Sequence, residues 1–208
     1  TSCPRSHQAA LEQLIFFEEA YLAGVVLPFV TINTVAPALM QHGSVVHQKR
    51  FLPGIAAGEI HFAIGYTEPS AGTDLATLRT TALPDGDGFV VNGQKVFTSD
   101  IDAADYVWLA CRTDPAQARH KGISLLIVAA WATGAASTPI HTVGHQTFAS
   151  YYSDVHVPAD MLVGELHGGW KLITAQLNHE RIGLGAYGIK SRGCFFQTLK
   201  WARQPDET

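Results

Sequence analysis

The spacing of hydrophobic residues changes twice along the chain and divides it into three parts. Apolar side chains recur every three or four residues over 8–23, and again from Trp170 to about Arg203, which is the period of an amphipathic helix. From Ile60 onward, apolar and polar residues alternate as they do in a β-strand. The pattern therefore predicts helices, then strands, then one long helix. The predicted domains cover residues 1–59, 60–166 and 167–208.

The N-terminal part carries signals for two further helices. Residues 25–40 are strongly apolar, and we expect a buried helix there that Pro37 kinks or restarts. Ser44 can cap a short helix over 45–51, which the Pro-Gly pair at 53–54 would end. We find no chemical motif in the first sixty residues, so their predicted role is packing.

The middle part is predicted to be an antiparallel β-barrel or sandwich. Residues 88–97 alternate around an Asn-Gly pair, which predicts a hairpin with a type I′ turn at that pair. Further runs with strand composition follow, separated by polar or Gly- and Pro-containing connections. They cover residues 106–112, 123–129 and 150–157. With N-terminal helices before this domain and the start of a C-terminal helical bundle after it, the predicted fold class is α+β.

Composition narrows the class of protein. The 208 residues carry a formal net charge of -4 and are 47% hydrophobic, as expected of a globular protein with a substantial core. Lys and Arg are scattered, which argues against nucleic-acid binding, and the longest apolar run, 123–131, is too short to span a membrane. The histidines lack an H-E-x-x-H motif or a matching carboxylate, so no metal site is predicted. The three cysteines lack metal or redox spacing, which is typical of a cytoplasmic protein with reduced thiols.

The segment 65–74 is the first candidate for ligand binding. It follows an apolar, strand-like run and combines glycine and proline with Thr67, Ser70 and Thr73. Glycine and proline set unusual turns, and small residues allow main-chain N–H groups to approach a ligand closely. The segment is neither a G-x-G-x-x-G nor a P-loop motif, so on these residues alone an ordinary surface loop is the alternative interpretation.

A second segment of this kind, 93–99, follows later in the chain. There Phe97 stands directly before Thr98 and Ser99 at the end of a predicted strand. A flat aromatic ring can stack on a planar heteroaromatic cofactor, and adjacent hydroxyl groups can form hydrogen bonds with it. The segment is therefore a candidate site for such a cofactor.

Several blocks of sequence resemble, in the right order, the acyl-CoA dehydrogenase family. They are 65–74 (GYTEPSAGTD, similar to the family signature T-E-P-x-A-G-[ST]-D), 92–95 (NGQK), 154–158 (DVHVP), 168–170 (GGW) and 177–181 (LNHER). The similarity extends over roughly residues 11–195, which makes it more specific than any single block. It implies the helix–strand–helix order predicted above and an FAD-dependent enzyme that desaturates acyl-CoA thioesters between the α and β carbons.

The resemblance implies that both segments hold the isoalloxazine ring of FAD. The cofactor-binding residues that it implies are Ile64, Tyr66, Thr67, Thr73, Phe97, Thr98 and Ser99. The family more often has tryptophan where this chain has Phe97, which keeps a stacking face but lacks the indole N–H. Neutral hydroxyl groups can donate to the flavin without adding charge beside a ring that accepts a hydride.

Glu180 is the catalytic base that the resemblance implies. Most family members carry this glutamate on a loop nearer the C-terminus, but a smaller branch, similar to the isovaleryl and long-chain enzymes, carries it directly before an arginine. The Glu180-Arg181 pair matches that branch. Removal of an α-proton needs a carboxylate held against the C–H bond with a raised pKa, which burial supplies. For such a pair taken alone, an exposed salt bridge is the alternative interpretation.

The resemblance also implies a substrate and partners. The substrate-binding residues that it implies are Thr73, Asn178 and Arg181. We expect an acyl-CoA substrate, an electron-transfer flavoprotein as the electron acceptor, and a homo- or hetero-oligomer, as a dimer or tetramer. The LNHER block is most similar to actinobacterial members, several of which oxidise steroid side-chain CoA thioesters, so a bulky acyl group is expected.

Two other functions are kept as alternatives at this point. One is a non-catalytic structural subunit of a heteromeric acyl-CoA dehydrogenase, because some subunits of the family lack the base. The other is a related flavin oxidase or monooxygenase that passes electrons to oxygen. Family members are roughly twice as long as this chain, so we expect it to be a fragment of a longer protein.

Overall fold

A computed structural model gives the structure of residues 4–143 and 146–204, without the side chains of residues 4–10 and 190. The chain forms two compact units. One combines the N-terminal part up to Phe29 with the C-terminal part from Leu177, and the other extends from Val30 to Gln176. The predicted order of helices, strands and a final long helix is confirmed. The domain bounds proposed from the sequence stay a prediction.

Helix α1 (Pro4–Leu22) and most of α4 (Gly169–Ala202) belong to the first unit. Aromatic rings hold this unit together. The rings of Tyr21 and Tyr187 lie 4.5 Å apart between centroids, and Phe29 contacts Tyr187 at 5.8 Å. The long helix predicted after the Gly-Gly pair is confirmed. None of the helices in the described ranges is long and apolar enough to cross a membrane.

The helices of the second unit depart from the prediction at two prolines. The predicted helix over 25–40 is instead a π-helical segment, Val30–Val35, that leads into α2 (Ala36–His42), and Pro37 lies in the first turn of α2. A proline fits there because a first-turn N–H has no helical partner. Helix α3 (Val45–Ala57) continues past Pro53, so the predicted end at that residue is wrong.

Both ends of α3 have a clear physical cause. The predicted cap is confirmed, since the Ser44 hydroxyl accepts a hydrogen bond from the His47 N–H at 3.1 Å and the His47 ring accepts one from the Ser44 N–H. Phe51 and Ile55 are buried on one side of the helix, and this packing outweighs the cost of Pro53. The helix ends at Gly58, whose φ of 73° suits glycine.

The second unit is built on a mixed sheet of eight strands in the order β6-β7-β3-β2-β4-β5-β8, with β1 paired to β4. The strands are β1 (Phe62–Gly65), β2 (Thr81–Asp85), β3 (Gly88–Ser99), β4 (Tyr106–Arg112), β5 (Ile123–Ala129), β6 (Ala135–Ile140), β7 (Thr147–Pro158) and β8 (Leu162–Val163). The predicted α+β class is confirmed. Most pairings are antiparallel as predicted, but β1 and β2 run parallel to β4.

The predicted hairpin at Asn92-Gly93 is wrong, because both residues lie inside β3. The pair sits instead at a register shift between β3 and β7. The Asn92 side chain exchanges two hydrogen bonds with Asp154, and a Cβ atom on Gly93 would lie 2.5 Å from the Thr80 hydroxyl. The pair therefore lies at a β-bulge, where the β3 backbone passes close to Thr80, and not in a turn. The turn between β2 and β3 is at Gly86 instead.

Strands β4 and β5 form the centre of the core, and Trp108, Leu109, Leu125 and Leu126 are fully buried there. Helix α3 packs on one end of this core through Phe51, whose ring contacts those of Phe62 and Tyr106. This packing fixes β1, whose end leads directly into the first predicted cofactor segment.

Candidate functional site

The structure brings the two predicted cofactor segments side by side. The main-chain N–H of Val96 donates to the carbonyl of Thr67 at 2.8 Å. The Lys95 ammonium donates to the carbonyl of Tyr66 at 3.1 Å. The end of β1 and the end of β3 therefore form one continuous surface, although about thirty residues of chain separate them.

A buried ion pair lies beneath this surface and was not identified from the sequence. Lys95 Nζ lies 2.8 Å from Glu68 Oε1, and the two side chains are 0% and 4% exposed. Glu68 also accepts hydrogen bonds from the main-chain N–H groups of Arg79 and Thr80, at 2.7 and 2.8 Å. The pair joins both cofactor segments to the start of β2. Its sequence signal is the position of Lys95, which occupies an inward-facing place in β3.

Burial and pairing act in opposite directions on the two charges. For Glu68, burial opposes ionisation, but the nearby Lys95 ammonium and the Thr80 hydrogen bond hold its pKa below the ordinary value. For Lys95, burial lowers the pKa against the attraction of Glu68. The contacts around both groups are those of an ionised pair, since each charge is met by opposite charge or hydrogen-bonding groups.

Phe97 has an uncommon backbone conformation for a bulky residue. Its φ is 59°, in the left-handed region, and it lies in the register shift between β3 and β7 from Lys95 to Thr98. The residue is 62% exposed. A β-bulge re-aims side chains, and here it turns an aromatic ring out of the sheet beside the first segment. Such a ring is available to stack on a planar ligand.

The other predicted cofactor residues fall into two groups. Ile64, Thr67 and Ser99 are half-buried, and Thr73 is exposed, so these side chains reach the surface. Tyr66 and Thr98 are buried, and their hydroxyl groups already have protein partners. The Tyr66 hydroxyl donates to Gln176, and the Thr98 hydroxyl lies 3.2 Å from that of Ser150. Tyr66 and Thr98 thus support the surface from below.

The three predicted site residues of α4 lie in the other unit. Glu180 is half-buried, and burial raises the pKa of its carboxyl group. Arg181 is exposed and donates to the Asn178 side chain at 2.9 Å. Within the described ranges Arg181 forms no ion pair with Glu180, so the salt bridge considered for these neighbours is not formed.

A separate cavity of about 430 Å³ lies between the β4–β5 connection and the start of α4. Its lining includes Asp114, His120, Lys121, His167, Trp170 and Lys171, and none of the predicted site residues. In the part of the chain that the structure describes, no group of three or more His, Cys, Asp or Glu side chains is arranged to hold a metal ion.

Residues 63–155 match the family model described as acyl-CoA dehydrogenase, middle domain. The chain is 57% identical over 197 residues to acyl-CoA dehydrogenase FadE29 of Mycobacterium tuberculosis. The aligned region covers 94% of this chain and 51% of that protein. It thus spans about half the length of the curated relatives that it matches.

Solved structures give the same picture. The structure described as the Tcur3481-Tcur3483 steroid ACAD is 55% identical with a TM-score of 0.88, over 93% of this chain and 51% of that one. The ChsE4-ChsE5 complex from Mycobacterium tuberculosis is 59% identical with a TM-score of 0.77, over 82% of this chain and 44% of that one.

Proposed function

Because this chain belongs to the acyl-CoA dehydrogenase family, we propose that the full-length protein is an FAD-dependent dehydrogenase of acyl-CoA thioesters. The reaction removes a proton from the α carbon and a hydride from the β carbon, and leaves an α,β double bond. The observation that carries the proposal is the joined surface at the ends of β1 and β3, with the exposed ring of Phe97 on it.

The residues of this surface fit a flavin. Phe97 offers a flat face, and Ile64 offers an apolar contact beside it. Thr67, Thr73 and Ser99 offer neutral hydroxyl groups for the polar edge of the ring. FAD, when bound, supplies the acceptor for the hydride. Tyr66 and Thr98 would hold the surface in place through their buried hydrogen bonds.

Glu180 is the proposed base. Its carboxyl group is half-buried, and a carboxylate with a raised pKa takes up a proton more readily than an ordinary one. Arg181 donates to Asn178, and among the described residues it forms no ion pair with Glu180 that would lower the basicity of the carboxylate. Asn178 and Arg181 are proposed to bind the thioester substrate together with Thr73.

We propose a bulky acyl group, such as a steroid side chain, because a structure 55% identical to this chain is described as a steroid ACAD. We also propose that an electron-transfer flavoprotein takes up the electrons, that the enzyme is oligomeric and that it acts in the cytoplasm. A second candidate is a non-catalytic subunit of a heteromeric dehydrogenase. This candidate is supported by the similarity to the ChsE4-ChsE5 complex, which contains two different chains.

The test starts with purified full-length protein and its flavin absorbance. Acyl-CoA thioesters of different bulk are added without oxygen, and bleaching by bulky thioesters is the expected result. Glu180→Gln should bind flavin normally but bleach about 10²- to 10⁴-fold more slowly. Glu165→Gln, an exposed carboxyl outside the proposed site, is the matched control. Unchanged bleaching by Glu180→Gln would move the base to another residue or subunit, and a colourless preparation would favour the structural subunit.

A further inference from the structure

Arg112 is the last residue of β4, and it is only 8% exposed. A guanidinium group has five N–H donors, and all five are used here. Each donates to a main-chain carbonyl group at 2.9–3.2 Å, and these carbonyls belong to Ala76, Leu78, Gln117, Arg119 and Lys121. The side chain was not among the predicted site residues.

The five carbonyl groups come from two separate segments. Two lie in residues 76–78, just after the first cofactor segment, and three lie in residues 117–121, in the connection between β4 and β5. Burial of a charge is costly unless other groups offset the cost, and within the described ranges no carboxylate forms an ion pair with Arg112. The carbonyl groups take that role. Neither segment can therefore move away without leaving a buried, charged donor unpaired.

A second contact joins the same two segments at the surface. Arg119 Nη2 lies 3.2 Å from Asp74 Oδ2, and both side chains are exposed. Arg119 has a φ of 52°, in the left-handed region, and its carbonyl group accepts from the buried Arg112. Uncommon backbone conformations persist where the surroundings fix them. The β4–β5 connection is thus held against residues 74–78 from inside and from outside.

Thr73 lies directly before this joined region. The N–H and the hydroxyl group of Thr77 both donate to the Asp74 carbonyl, at 3.1 and 2.7 Å, so residues 74–78 form a tight turn. Two carbonyl groups of that turn are the ones that Arg112 holds. Thr73 itself is exposed, so a ligand can reach it. The position of Thr73 is therefore set by a side chain that no ligand needs to touch.

We propose that Arg112 is a positioning residue for the acyl-CoA thioester and acts through Thr73. The inference rests on the proposed function, in which Thr73 binds the thioester. The other end of the first cofactor segment is held separately, because Lys95 donates to the Tyr66 carbonyl and pairs with Glu68. Loss of the Arg112 contacts should therefore weaken thioester binding much more than FAD binding.

Arg112→Lys and Arg112→Gly test the inference in the full-length, FAD-loaded protein. Lysine keeps the positive charge but has only three donors and no planar fork, so it cannot hold five carbonyl groups. Glycine leaves space for a guanidinium ion added to the buffer. Steady-state oxidation of an acyl-CoA thioester with a dye as electron acceptor gives KM and kcat, and flavin fluorescence gives the Kd for FAD.

Two variants far from the site are the controls. Lys49→Met removes an exposed positive charge from α3, and Ser44→Ala lowers stability slightly at the start of the same helix. Both should keep the wild-type KM. A change in KM that appears in the Arg112 variants alone is then due neither to net charge nor to a small loss of stability.

The expected result for Arg112→Lys is a KM about tenfold higher, with kcat within about twofold of the wild type, because a contact made equally in the ground state and the transition state changes KM alone. The Kd for FAD should change by less than about threefold. Guanidinium chloride at millimolar concentration should lower the KM of Arg112→Gly, and sodium chloride at the same ionic strength should not.

Three outcomes would contradict the inference. An unchanged KM in the Arg112 variants would overturn it and leave the proposed function intact. A KM and an FAD Kd that rise by the same factor would show a general structural role and would also overturn it. Wild-type protein that oxidises no acyl-CoA thioester would overturn the proposed function and the inference together.

Hydrogen–deuterium exchange of the wild-type protein gives a test that does not depend on a variant folding. A non-reactive thioether analogue of an acyl-CoA is added to the FAD-loaded protein. Amide exchange should slow in residues 73–78 and also in residues 117–121, because Arg112 joins the two segments. Slower exchange in residues 73–78 alone would contradict the inference.

Discussion

Lys95 and Glu68 form an ion pair at 2.8 Å with both side chains almost completely buried, directly below the residues proposed to hold the flavin. Each charge has further partners, since Lys95 donates to the Tyr66 carbonyl and Glu68 accepts from Arg79 and Thr80. A buried pair of this kind contributes little net stability over a well-packed apolar pair, but it is costly to break. Its main consequence is that the two cofactor segments have one defined relative position.

Lys95→Met is expected to lower the free energy of unfolding by about 3–5 kcal/mol, because it leaves the Glu68 carboxylate buried without its counter-charge. The measurement is urea denaturation of the full-length protein at neutral pH. The double variant Lys95→Met with Glu68→Gln should recover part of the loss. Arg119→Met breaks the exposed Arg119–Asp74 pair and should cost less than about 1 kcal/mol. Equal losses at both pairs would contradict the role assigned to burial.

Phe97→Gly separates backbone strain from ring stacking. Glycine adopts a φ of 59° readily, so the variant should be no less stable than the wild type, although it lacks the ring. The FAD affinity should fall about tenfold, which corresponds to the energy of an aromatic stacking contact. Phe97→Trp keeps a stacking face and should bind FAD at least as well as the wild type. Flavin fluorescence titration measures the FAD affinity of both variants. Normal FAD binding by Phe97→Gly would exclude a stacking role.

The raised pKa of Glu180 predicts the shape of the pH–rate profile. A base works only when ionised, so kcat/KM should rise with pH and level off above the Glu180 pKa, which lies above the ordinary value of 4.5. The same shift means that the folded protein binds this proton more tightly than the unfolded chain does. Stability is therefore lost as the pH rises from about 4.5 through the folded pKa. Stopped-flow bleaching between pH 4 and 9 should show this rise in the wild type.

The capping box at the start of α3 predicts a smaller effect on stability. Ser44→Ala removes the hydroxyl that accepts from His47 and should lower the free energy of unfolding by about 1 kcal/mol. Ser70→Ala alters an exposed serine in the first cofactor segment and should change stability by less than about 0.5 kcal/mol. Thermal unfolding of both variants, compared at the same protein concentration, tests the difference.

Local sequence patterns predicted most of the elements. The bounds of β4 and β5 are as predicted because a continuous apolar run fits strands buried on both faces. The predictions of a turn at Asn92-Gly93 and of a helix end at Pro53 were wrong, because contacts with distant residues outweigh local preference. At Asn92-Gly93 these contacts are with Asp154 and Thr80. Strand β6 was missed because its exposed and half-buried residues give only a weak signal.

The candidate site was predictable only in part. Phe97 and the hydroxyl residues were selected by type and by resemblance, and their roles stay predictions. The ion pair and Arg112 were missed for one physical reason, which is that they have partners in distant parts of the chain. Nothing near Arg112 in the sequence indicates that the carbonyl groups of Ala76 and Leu78 accept from it. Such a network becomes visible only after the strands and their connections are assembled.

The pairing of β3 with β7 also has a consequence for biosynthesis. Thr98 lies opposite Phe148, and the bulge that presents Phe97 exists only while β7 is in place. A ribosome delivers β3 well before β7, so the newly made chain holds β3 with one edge unpaired until residues 147–158 emerge. The surface proposed to hold the flavin is therefore completed late in synthesis. Misfolding and chaperone binding are expected before that moment, while the strand edge is exposed.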